Sequence, residues 1–122
     1  MSNRSLLLEL CIEIDEAIRR IERRFTGIHS PEDFICDDNG LDRLDGISMM
    51  LIAISENIKR LEKIAGADFL NQYPDIPWLG IKGIRNILAH DYFNLDAEEI
   101  YKICSSDLEP LKQVLVRMRG AV

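Results

Sequence analysis

The spacing of apolar residues is the feature of this chain that most narrows what it can fold into. From Leu7 to Phe25, through Leu10, Cys11, Ile14, Ala17, Ile18 and Ile21, an apolar side chain recurs every three or four residues. That step lines one face of a helix with about 3.6 residues per turn. Ser2 or Asn3 can cap its start and Gly27 can stop it. The same step returns in Leu44, Ile47, Leu51, Ile54, Ile58 and Leu61, which predicts a second helix from about Leu41 to Ile64, ended by Gly66. Between the two, Ser30-Pro31-Glu32-Asp33 predicts a short helix, with proline at its first position and acids in its first turn, ending near Asp37 to Gly40. The connector from Asn71 to Trp78 is stiffened by Pro74 and Pro77 and leads into a third helix. A C-terminal helix has Asp96 as its N-cap, with Glu99 as capping-box partner. Its apolar residues include Ile100, Ile103, Leu108, Leu111, Leu115 and Met118, and Pro110 should kink or split it near Ser106. No stretch alternates with period two for long enough to form a strand, and no internal repeat is visible. The pattern predicts an all-α bundle of four or five helices, a single domain over residues 1–122.

Composition restricts the possible partners. With 21 acidic against 15 basic residues the chain carries a formal charge of −6, so no global positive field draws in nucleic acid, and any anion site must be local. The three cysteines, Cys11, Cys36 and Cys104, are odd in number, far apart and without CxxC spacing. Neither a disulfide framework nor a zinc site is expected, and a reducing cytoplasm fits this usage best. No signal pattern or long apolar run points to a membrane. Arg19, Arg20, Arg23 and Arg24 crowd the end of the first helix, where cations complement the C-terminal dipole, with a phosphate-binding patch as the alternative. Met49, Met50, Ile52 and Ala53 widen the seam of the second helix. A symmetric dimer would use such a second surface, and core packing alone would also use the width.

The stretch Ile84 to Tyr92 carries the chemistry. Read as helix, it gathers Ile81, Ile84, Ile87 and Leu88 on one side and Arg85, Asn86, Ala89 and His90 on the other. Paired carboxylates, HExxH, a Gly-rich phosphate loop and Cys/His clusters are all missing, so metal and cofactor chemistry lack their usual parts and none is expected. An arginine with a histidine suits metal-free RNA cleavage: imidazole takes the proton of a ribose 2′-OH, and guanidinium holds the charge that builds on the attacked phosphate. On a regular helix Arg85 and His90 would point about 140° apart, so Arg85 must reach round or the helix must end near His90. The reaction also wants an acid besides the base, which a two-fold axis beside the third helix would supply by bringing two copies of the pair to one cleft. Asn86 can orient the ring or hold phosphate. Lys82 adds positive charge to the cleft, and Tyr92 is a phosphate donor or a modifiable hydroxyl. The plainer reading is a histidine that interacts with the last carbonyls of its helix. Two other classes stay open, a catalytically idle partner module and a purely structural helical dimer.

Arg85, four residues, His90, one residue, Tyr92 resembles the signature of HEPN-domain RNases. The longer run from Tyr73-Pro74-Asp75-Ile76-Pro77-Trp78 into Arg85 to Phe93, with Ser55-Glu56-Asn57-Ile58-Lys59-Arg60-Leu61 and Asp107-Leu108-Glu109-Pro110-Leu111, is similar to the HepT-like (DUF86) branch. The resemblance implies a HEPN-like homodimer with the motif at its interface, acting as a metal-independent RNase toxin of a type II toxin–antitoxin pair. Its antitoxin would be MntA, a minimal nucleotidyltransferase that transfers AMP to the motif tyrosine, here Tyr92. Arg85 and His90 would inherit the catalytic roles and Asn86 the supporting one. Glu56 would match the helix-two glutamate as an orienting partner of Arg85. Ser55 stands where such relatives most often have glycine. The alternative function is that of an idle substrate-binding or partner module of the nucleotidyltransferase.

Overall fold

A computed structural model describes residues 2–121. Among them are six α-helices: α1 (Asn3–Phe25), α2 (Asp38–Ala65), α3 (Ala67–Asn71), α4 (Trp78–His90), α5 (Ala97–Lys102) and α6 (Leu108–Ala121). The described residues contain no strand, so the all-helical reading holds. None of the helices is long and apolar enough to cross a membrane.

Ser2 caps α1, its side chain accepting from the Ser5 N–H, and Gly27 turns the chain at φ 85°. The open carbonyls at the end of α1 are met from outside: the Arg43 guanidinium donates to the backbone oxygens of Arg24, at 3.1 Å, and Thr26. Groups left over at a helix end are thereby satisfied and α1 is tied to α2. Arg19 and Arg20 both pair with Glu16, which holds the Glu16 carboxyl down at about 2. The expected short helix after Ser30 is a single 3-10 turn, Pro31–Phe34, because Asp37 interrupts it and caps the next helix by accepting from Gly40 N–H. For that reason α2 starts at Asp38 rather than near Leu41. It ends at Gly66, whose φ of 93° is open to glycine at little cost.

α1 and α2 form an antiparallel hairpin, with Asn57 hydrogen-bonded to Glu13 at one end and Arg43 to Arg24 at the other. α4 runs antiparallel along α2, and α6 antiparallel along α1, where Lys112 meets Glu22 and Arg119 meets Asp15. The core between them holds Ile14, Ile18, Ile47, Ile54, Leu115 and Met118, each with 1% of its surface exposed or less. Phe25, expected in this seam, is only partly buried and stacks at a tilt on Phe34 and Tyr101. Asp96 caps α5 as predicted but accepts from the Glu98 N–H; the reciprocal contact from Glu99 is absent among the described residues. The break expected from Pro110 is a π turn over Ile103–Asp107, closed by the Leu108 N–H on the Ile103 carbonyl. Pro110 has no N–H for the Ser106 carbonyl, and the wider turn absorbs the missing bond without ending the helical run.

Candidate active site at the end of α4

α4 opens after Pro77, with the Trp78 indole N–H anchored on the Tyr73 carbonyl at 3.0 Å. It closes at His90. Asp91 leaves the helical region at φ −153°, and a 3-10 turn over Tyr92–Asn94 follows, pinned by the Asn94 amide on the Asp91 carboxylate at 2.7 Å. The helix thus ends at the histidine, but Arg85 and His90 both lie within it, so their bearings still differ as on a regular helix.

Four contacts join α4 and its following turn to α2. The Lys82 ammonium reaches Glu62 at 2.9 Å. About two turns back along α2, the Ser55 hydroxyl donates to the Lys82 carbonyl at 3.1 Å. The Arg85 Nε lies 3.3 Å from Glu56 Oε1, and Lys59 approaches the same oxygen at 3.5 Å. Beyond the helix, the Tyr92 phenol donates to Asp45 Oδ1 at 2.6 Å. Burial, and then the Asp45 carboxylate that accepts its proton, push the Tyr92 phenol up to about 12, with the Ser48 hydroxyl pulling the other way. Ser55 is fully buried yet satisfied.

The site residues thus fall into two groups. Glu56, Lys82, Arg85 and Tyr92 lie along the α2–α4 seam. Asn86 and His90 stand on the outer side of α4, exposed and, among the described residues, with no side-chain hydrogen bond or ion pair. Two expectations need correction. Ile87 was assigned to the apolar face with Ile81, Ile84 and Leu88, but it is 66% exposed while those three are buried, because its bearing falls about 90° from the centre of the buried stripe. Tyr92 lies beyond α4, where the turn at Asp91 swings it onto α2. Lys82 and Arg85, expected to make a positive cleft, each already face a glutamate. Asp45 escaped the sequence reading altogether. The available signal was its bearing, since Asp45 and Glu56 are eleven residues, or about three turns, apart on α2 and so share a face.

Among the described residues no group of three or more His, Cys, Asp or Glu side chains is placed to hold a metal ion. Partial exposure keeps the Arg85–Glu56 pair weak, on the order of 1 kcal/mol or less. A carboxylate at that distance orients the guanidinium and is displaced at little cost by a phosphate.

The family model described as Ribonuclease HepT-like matches residues 14–118. The chain belongs to the HepT-like family. The matched residues take in α2, α4 and the turn after it, and so every candidate site residue named above. The chain is 32% identical over 107 residues to a protein of Thermococcus cleftensis named probable ribonuclease HepT, covering 88% of this chain and 90% of that one. It is also similar to two proteins of Methanocaldococcus jannaschii described as candidate RNases. One is 33% identical over 67 residues, 55% of this chain and 62% of that protein; the other is 31% identical over 74 residues, 57% and 58%. No solved structure matches this HepT-like chain.

Proposed function

We propose that this HepT-like chain is a metal-independent endoribonuclease that cleaves RNA with Arg85 and His90 at the interface of a homodimer. The observation that carries the reading is the end of α4, where an exposed His90 closes the same helix on which Glu56 orients Arg85. The His90 imidazole takes the proton of a ribose 2′-OH. That oxygen attacks the adjacent phosphorus, Arg85 binds the oxygens that gain charge, and the bond to the 5′-oxygen breaks. The leaving oxygen is protonated by the second copy of His90. The products are a 2′,3′-cyclic phosphate and a 5′-hydroxyl. Asn86, one turn before His90 and equally exposed, binds phosphate or orients the ring, and Lys82 contributes once Glu62 releases it.

The same reading makes the protein the toxin of a type II pair, held in check by an MntA-like nucleotidyltransferase that adenylylates Tyr92 in the cytoplasm. Tyr92 suits that role by position. It follows His90 by two residues, and a nucleotide on its oxygen would add a phosphodiester and a base near the end of α4, at the cost of the hydrogen bond to Asp45.

Expression of the chain alone tests the proposal, beside Arg85→Ala, His90→Ala and Tyr92→Phe variants matched for folded protein. Growth arrest by the wild type, relieved by the Arg85 and His90 variants, with cyclic phosphate at the new RNA ends, is the expected result. Equal growth of all four overturns it. The alternative function, an idle partner module of the nucleotidyltransferase, is favoured by one observation: Lys82 and Arg85 are both already paired with glutamates. Binding of the nucleotidyltransferase without any RNA cleavage would establish that alternative.

A further inference from the structure

In an antiparallel bundle of α1, α2, α4 and α6, each helix should meet two neighbours. Here α1 packs on α2, α2 on α4 and α1 on α6, but α4 makes no comparable contact with α6. The open seam is a groove of about 490 Å³ between α4 and the run from α5 through the π turn into α6, floored by Leu51 and Ile54 of α2. Ile84 and Leu88 line one wall, Ile103 and Leu108 the other. The apolar surface continues outward at the rim, where Ile87 is 66% exposed. Single exposed apolar residues need no explanation, but a trough of this size with an exposed isoleucine at its rim marks a binding surface.

The rim identifies what fills it. Asp96, Glu99 and Asp107 line the groove against a single cation, Lys102, and among the described residues none of the four is in an ion pair. An apolar trough edged by unpaired carboxylates is complementary to an amphipathic helix that inserts aliphatic side chains and sets lysines or arginines against the edge. A second copy of this chain fits poorly. It carries a net charge of −6, so seating it on this rim would bring an acidic body against the groove's own carboxylates.

We propose that the α4–α6 groove docks a basic amphipathic helix of a second protein. The inference does not rest on the nuclease reading. The groove lies on the Ile87 flank of α4, and the site candidates Asn86 and His90 lie on the adjoining outer face. A helix seated there would therefore run beside them.

Two idealised peptides with the same leucine face test it, one with lysine and one with glutamate on the polar face, fluorescently labelled and titrated with the full chain at physiological salt. The lysine peptide should bind saturably, one per chain, and the glutamate peptide at least about tenfold more weakly. Gly80 lines the groove on α4, and a Cβ there meets nothing within 4 Å. Gly80→Leu therefore fills the trough while improving helix propensity, and should weaken the lysine peptide at least about tenfold. Gly80→Ala, which leaves the trough open, should bind as the wild type does. Glu99→Lys should narrow the gap between the two peptides. Unchanged binding to Gly80→Leu would show attraction to the acidic body alone and overturn the proposal, as would equal binding of both peptides. Loss of self-association in Gly80→Leu would assign the groove to a second copy and overturn it as well.

Discussion

At the scale of single residues, the Tyr92–Asp45 hydrogen bond has the clearest consequence. Because burial and Asp45 raise the phenol to about 12, against roughly 10 for an ordinary tyrosine, the folded state holds this proton more tightly than the unfolded one. Its contribution to stability is complete below about pH 10 and is lost as pH rises toward 12. A spectrophotometric titration should show one of the three tyrosines ionising late, and that late step should vanish in Tyr92→Phe. A high-pH limb identical in the wild type and Tyr92→Phe would disprove the contact. Ser55 is a quieter case. Its buried hydroxyl donates to the Lys82 carbonyl, so Ser55→Ala should lower the unfolding free energy by about 1 kcal/mol. A urea titration measures this, and no loss would mean the hydroxyl is dispensable to the α2–α4 contact.

At the scale of elements, helix propensity and packing can be set against each other with two glycines. Gly40 is buried in the first turn of α2, where a Cβ would overlap the Asp33 carbonyl and press on the backbone of Phe34. Gly83, in α4, has open space around the same position. Both substitutions to alanine favour helix by propensity, yet they should act in opposite directions. Gly40→Ala should destabilise by about 1–3 kcal/mol, since the 3-10 turn must move. Gly83→Ala should stabilise by up to about 1 kcal/mol. Thermal melts of the two variants decide it, and a Gly40→Ala protein as stable as the wild type would refute the close approach of the turn to α2.

For the whole molecule, burial and charge set different properties. Ile58 has none of its surface exposed and sits in the seam of α2; Ile58→Ala should cost about 2–5 kcal/mol, depending on how far the neighbours relax, as read from the urea midpoint. The net charge of −6 leaves few cations to meet a polyanion. If about two or three phosphates are contacted, RNA affinity of a His90→Ala variant should fall only about tenfold between about 50 and 200 mM salt. A fall of a thousandfold would show a far larger basic surface than Arg85 and Lys82 provide.

Periodicity in the sequence determined most of the elements by itself. The apolar steps from Leu7 to Ile21 and from Leu44 to Leu61 mark the faces that α1 and α2 bury, and Ser2, Gly27, Gly66 and Asp96 act at the termini where local chemistry places them. Those are short-range effects, settled by side-chain spacing and by which groups are left unsatisfied at a helix end. Arg85 and His90 were likewise visible as an unusual pair, because guanidinium and imidazole on one short helix stand out from a solvated face of lysines and glutamates. What tertiary structure alone decided is which side chains meet across helices. Asp45 holds Tyr92 from 47 residues away, Arg43 closes the end of α1, Lys82 is taken up by Glu62, and Ile87 is left exposed on the edge of an open seam. Each depends on how far one helix stands from another and at what rotation, and no local pattern encodes either.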